Sequence, residues 1–162
     1  MKQLHNIYTL LFFIVVLLFG NAATARAQQD QVISPTNVFI RAIIEQDTFY
    51  KQEGFLLTFR LYTILSPIQA NSIHFPKFED LLVEEIPLPH ERQAVLRHYN
   101  GKNYFTIDLK KVKLFPQCLG LIIIPSISLD MTFSVRSGSS SDTIDIRQII
   151  ESNPITIYAQ PL

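Results

Sequence analysis

The sequence has no tryptophan, a single cysteine and five glycines in 162 residues. With Cys118 alone there is no internal disulfide, so the fold must rest on an apolar core. Cys118 itself reads as a small, half-buried turn residue, because only distant lysines are available to activate a thiol there. Glycine-rich phosphate loops and calcium loops are absent, and the run Ser137-Gly138-Ser139-Ser140-Ser141 lacks the Gly-x-Ser-x-Gly order of a nucleophile elbow. Charge of one sign is missing too. The 14 Lys and Arg balance 14 Asp and Glu, which gives no electrostatic case for nucleic acid or an anionic membrane surface. His74, His90 and His98 show no short ligand spacing and have no cysteine cluster beside them, so no zinc site and no cofactor is called for. No stretch outside the first 27 residues has helical spacing over 10–12 residues, and none there could span a membrane.

What is present begins with an export signature. Lys2 supplies a positive start, Ile7–Phe19 is a run of 13 apolar or near-apolar residues, and Ala25-Arg26-Ala27 has the form of a signal-peptidase site. The run is shorter than the ~20 residues that cross a bilayer. Residues 1–27 are therefore read as a signal peptide cleaved after Ala27, 28–35 as a loose leader, and 36–160 as one domain. Losing Lys2 and Arg26 leaves 12 cations against 14 anions.

Two alternating runs flank Asn100-Gly101, a pair that tolerates the positive φ of a type I′ turn and signals a hairpin from Arg92 to Phe115. Counting outward pairs Tyr99 with Lys102, Arg97 with Tyr104 and Leu96 with Phe105. Ala94, Leu96, Phe105 and Ile107 then share the face expected to be buried, and Arg97, Tyr104, Val95 and Thr106 share the more polar face. Further along, Phe105, Ile107 and Leu109 are odd but Val112 and Leu114 are even. This slip at Lys110-Lys111 predicts a β-bulge or a change of sheet.

Period-two patterns also predict strands at Thr36–Ile44, Thr48–Tyr50, Phe55–Thr63, Ile68–Phe75, Leu81–Ile86, Ser126–Val135 and Ile155–Ala159. Ser66-Pro67 is expected to open a loop, Phe115–Gly120 to form a corner, and Arg136–Asp142 to be a polar loop. Thr143–Ile150 reads equally as a strand or a short helical turn. The first strand is apolar on both faces and should be well covered, while Pro87 and Pro89 place Leu81–Ile86 at an edge or a crossing. Eight to nine strands with no helix indicate an all-β, antiparallel β-sandwich.

The chemistry-bearing residues do not converge. Glu79-Asp80 and Glu84-Glu85 are adjacent pairs, and neighbours on a strand point to opposite faces. Lys110, Lys111 and Lys113 read as a solvated strand edge guarded by lysines.

Taken together, several segments look familiar: Phe39–Ala42, Tyr50–Thr63, Val83–Pro89, Tyr99–Tyr104, Leu114–Gln117 followed by Gly120 and Ile124-Pro125, and Ser152–Ile157. The series resembles the N-terminal region of the BatD family of Bacteroidetes, the oxygen-tolerance proteins. The resemblance implies an immunoglobulin-like β domain exported to the periplasm. It also implies a non-enzymatic role in aerotolerance and stress survival, beside von Willebrand factor A-type membrane proteins and a MoxR-type ATPase. Members of that family continue into further β domains and a C-terminal membrane helix, and the resemblance covers only their first region. The expectation is an exported, non-catalytic protein-interaction module without nucleic-acid or cofactor binding, whose hairpin offers Arg97, Tyr104 and Lys111 as the contact surface. A carbohydrate- or adhesin-type β-sandwich using Tyr62, Tyr99 and Tyr104 as platforms is the alternative.

Overall fold

The computed structural model describes residues 33–90, 93–136 and 143–162. The signal segment, residues 28–32 of the leader, the start of the hairpin at Arg92 and the loop over 137–142 lie outside the described residues. The chain is all-β. Its strands are β1 (Val38–Ile43), β2 (Thr48–Tyr50), β3 (Phe55–Thr63), β4 (Ser66–His74), β5 (Leu81–Ile86), β6 (Val95–Tyr99), β7 (Lys102–Pro116), β8 (Gly120–Ile124), β9 (Ser128–Arg136), β10 (Thr143–Glu151) and β11 (Ile155–Gln160).

β3 shows why the chain folds this way. Its odd residues Phe55, Leu57, Phe59 and Leu61 are buried, the last three at 1% exposure or less. A period of two puts them all on one side of the pleat. Burying each contributes about 1.5–3 kcal/mol. β3 is the centre of a five-stranded sheet ordered β1-β3-β7-β5, with β6 also paired to β7. Two three-stranded sheets, β10-β9-β4 and β2-β11-β8, complete the fold. Ile127, Leu129, Met131 and Phe133 around β9, with Ile122, Ile124 and Ile157, join the β3 residues in one core, the arrangement of a β-sandwich. All strand pairs are antiparallel except β2 with β11, which is parallel. β1 ends its sheet, yet its free edge is covered. Ile40 bridges Ser152, and the Ala42 amide donates to Asn153 Oδ1 at 3.1 Å.

The hairpin register is as predicted, from Tyr99 with Lys102 to Val95 with Thr106. Asn100 and Gly101 carry the required positive φ, 47° and 77°. The bulge is also present, one residue early. Phe59 faces Lys110 and Arg60 faces Asp108, leaving Leu109 as the extra residue. The core side of β7 is therefore odd before Leu109 and even after it, where Val112 and Leu114 are completely buried.

Burial at the hairpin tip reverses the expectation. Leu96 and Phe105 are 59% and 53% exposed, whereas Tyr104 and Thr106 on the polar face are 4% and 2% exposed. Leu96 and Phe105 do point to the core side, in line with Thr63 and Ile107. The tip, however, projects past the core, and β6 packs chiefly on β7 alone. The opposite face is covered instead by aromatic side chains from β1 and β3.

The structure decides four further segments. The corner expected over Phe115–Gly120 narrows to residues 117–119, and Gly120–Ile124, to which the sequence pattern assigned no element past Gly120, is β8. Its unbroken apolar run hid an alternation in which Ile122 and Ile124 are buried while Leu121 and Ile123 are exposed. Thr143–Glu151 is a strand paired along its length with β9. Ser66-Pro67 belongs to β4, where the proline sits at the start of a strand that ends its sheet. Ile33, placed in the leader, is buried in the core and its amide donates to Gln148 Oε1 at 2.9 Å.

Candidate functional site

The outward face of the five-stranded sheet collects the polar residues of the hairpin. Cross-strand partners share a face, so the ladders Phe39–Tyr62–Thr106–Val95, Arg41–Arg60–Asp108 and Tyr104–Arg97 all lie on this side. β5 covers Lys111–Pro116 along one edge of β7, and β6 covers Lys102–Thr106 along the same edge. A cleft of about 230 Å³ opens where one gives way to the other, and Arg97, Lys111, Asp108, Val95 and Thr106 line it.

Two of the three predicted contact residues thus meet in one place. Arg97 is exposed and Lys111 is half-buried. Asp108 is the acid at their centre. Lys111 Nζ lies 3.1 Å from Asp108 Oδ2, and the Arg60 guanidinium grips the same carboxylate through two nitrogens. Burial pushes the Asp108 carboxyl up, but hydrogen bonds from Arg60 and Lys111 outweigh it and hold the group below its usual range. The Asp108 hydrogen bond correspondingly raises the Arg60 guanidinium.

Tyr104, the third predicted contact, is a correction. It lies beneath this face rather than on it. Its ring meets Phe39 edge-on at 5.2 Å and Tyr62 at 6.0 Å, and its hydroxyl donates to the Thr36 carbonyl at 2.9 Å. Phe39 and Tyr62 stack at 5.0 Å and 8°. Tyr62 is likewise buried, so of the three tyrosines considered as platforms only Tyr99 reaches the surface. A second, wider groove of about 540 Å³ runs beside this aromatic layer, between the hairpin turn and β1. Sequence reasoning missed its residues Arg41 and Lys102. The signal for Arg41 was present, since it shares the odd register of β1 with Phe39.

Several of the remaining charged residues have structural partners. Lys111 and Lys113 share the outward face and Lys110 lies opposite, because the bulge at Leu109 precedes all three. Lys110 bonds Glu85 at 2.6 Å and sits 4.5 Å over the Phe75 ring, and Lys113 caps the Phe115 ring at 5.2 Å. Glu84 lies opposite Lys113 on the outward face, so the Glu84-Glu85 pair diverges as expected. His98 bonds Asn103 at 2.9 Å and lies apart from His74 and His90 on exposed positions. Among the described residues no group of three or more His, Cys, Asp or Glu could hold a metal ion, and no helix is long and apolar enough to cross a membrane. Cys118 is half-buried in the bend between β7 and β8, packed against the core. No family model, curated protein or solved structure matches the chain.

Proposed function

We propose that this chain is an exported, non-catalytic protein-interaction module of the BatD type, an immunoglobulin-like β-sandwich that acts in oxygen tolerance and stress survival beside von Willebrand factor A-type membrane proteins and a MoxR-type ATPase. The observation that carries the reading is the cleft between β5 and β6, where Arg97 and Lys111 stand around Asp108 next to the half-exposed Val95. Arginine beside exposed apolar surface is the composition enriched at protein contacts. Phe105 and Leu96 on the other side of the same hairpin add exposed apolar area. The test is affinity capture of a co-expressed von Willebrand A-type membrane protein by the unaltered chain and by the Arg97→Glu/Lys111→Glu variant. Capture by the first and loss in the second is expected. Equal capture by both removes this face from the reading, and capture by neither removes the reading itself.

The alternative, a carbohydrate- or adhesin-type binding β-sandwich, is favoured by one feature, the half-exposed Tyr99 at the rim of the wider groove. A glycan array without signal dismisses it.

A further inference from the structure

The groove between β1 and the hairpin turn differs from the cleft in its charge. Its floor and walls include Phe39, Tyr99 and Tyr104, and its charged lining residues are Arg41 and Lys102, with no carboxylate among them. Neither cation has an acid within ion-pair distance among the described residues. This holds although the whole chain is formally neutral. Unpaired cations gathered over apolar walls form a positive site that attracts anions.

The floor is a packed aromatic layer. Phe39 and Tyr62 stack on each other, and each meets both Tyr99 and Tyr104, with centroids 5.0–6.0 Å apart. Arg41 lies on Tyr99 with its central carbon 4.5 Å from the ring centroid. That stacking has two effects. It fixes the guanidinium without using its N–H donors, which point outward in the plane and match a carboxylate bidentately. It also occupies a face of Tyr99, the one of the three platform candidates that reaches the surface, so the groove offers a charged fork where a sugar would need a bare ring. Asn100 on the rim adds an amide group of the kind that bonds a peptide backbone, while the Asn153 side chain is engaged with the Ala42 amide and the Pro154 carbonyl. The volume of about 540 Å³ falls within the ~300–1,000 Å³ of ligand-holding clefts.

From this geometry we infer that the groove binds an acidic peptide segment of a partner protein, with a glutamate or aspartate carboxylate held between Arg41 and Lys102. The inference rests on the interaction-module reading and names the chemistry of the partner. The segment's other side chains lie along Phe39 and the rim of Tyr99.

The test is titration of the purified protein at low salt with hexaglutamate, hexaglutamine and hexalysine peptides. Hexaglutamate alone is expected to bind, less tightly as salt rises. Arg41→Gln and Lys102→Gln should each weaken binding about tenfold or more, and Arg41→Lys should fall between, having charge without the fork. Lys77→Gln, an equal charge change on an exposed loop, should leave binding unaltered. Lys102 is exposed beside the hairpin turn, so its variant tests the site even if an Arg41 variant loses stability. The inference is overturned by absence of hexaglutamate binding, by equal weakening in Lys77→Gln, or by polygalacturonate binding through Arg41 and Lys102 where hexaglutamate does not. Persistent capture of the membrane partner without hexaglutamate binding removes this groove and keeps the interaction reading. Hexaglutamate binding without capture keeps the groove and removes that partner class.

Discussion

Replacing Tyr104 should destabilise the fold far more than replacing its neighbour Phe105, against the order their hydrophobicity suggests. Tyr104 is 4% exposed, and its ring contacts Phe39 and Tyr62. Truncating a buried aromatic side chain to alanine removes its transfer free energy and leaves a cavity, together about 3–5 kcal/mol. Phe105 is 53% exposed. Its truncation forfeits about half of the ~1.5–3 kcal/mol that full burial would contribute, so roughly 1 kcal/mol. Tyr104→Phe separates the ring from the hydroxyl. It loses only the bond to the Thr36 carbonyl, on an exposed residue that water can reach, so about 0.5–1.5 kcal/mol is expected. At about 3–5 °C per kcal/mol for a domain of this size, Tyr104→Ala should lower Tm by roughly 10–20 °C and Phe105→Ala by about 3–5 °C. The absence of tryptophan makes far-UV circular dichroism in a urea or thermal titration the suitable readout. A Phe105→Ala loss equal to or larger than that of Tyr104→Ala would refute the placement of the buried side of the hairpin tip.

Two further outcomes follow from single contacts. A Cβ on Gly54 would come within 2.6 Å of both Lys113 Cε and Phe115 Cε1; the lysine can swing away but the ring cannot do so freely, so Gly54→Ala should cost about 1–3 kcal/mol in thermal unfolding. Hydrogen bonds from Arg147 and then Asn71 hold the Asp130 carboxyl at about 2, below its ordinary value. A depressed carboxyl pKa stabilises the folded chain above the unfolded-state value, and that stability drains away as pH falls from about 4 toward 2. Asp130→Asn should flatten this part of a Tm-against-pH profile, and an unchanged acid slope would show that the ion pair with Arg147 carries none of it.

Much of the fold was legible in the residues themselves. The alternation of Phe55–Thr63 and of Ile127–Val135, the Asn100-Gly101 turn and the slip near Lys110 are local signals, and each corresponds to an observed element. β8 was illegible because four consecutive apolar residues, Leu121–Ile124, carry no period to read. Thr143–Ile150 was ambiguous because its apolar residues stand at 144, 146, 149 and 150, a spacing that begins with the step of a strand and ends with that of a helix. Of the predicted contact residues, Arg97 and Lys111 converge because the bulge at Leu109 leaves Lys111 on their common face. Tyr104 departs because its neighbours Phe39 and Tyr62 are more than 40 residues away in sequence.

By itself the sequence determined the all-β class, the hairpin register and which residues share a face, since these follow from a two-residue period and the φ preferences of Asn and Gly. Only the tertiary structure decided which of two faces is covered. Coverage depends on what β1 and β3 bring over the hairpin from afar. They bring the rings of Phe39 and Tyr62 and the Arg41 side chain to the outward side, over Tyr104, and no aromatic ring to Leu96 and Phe105.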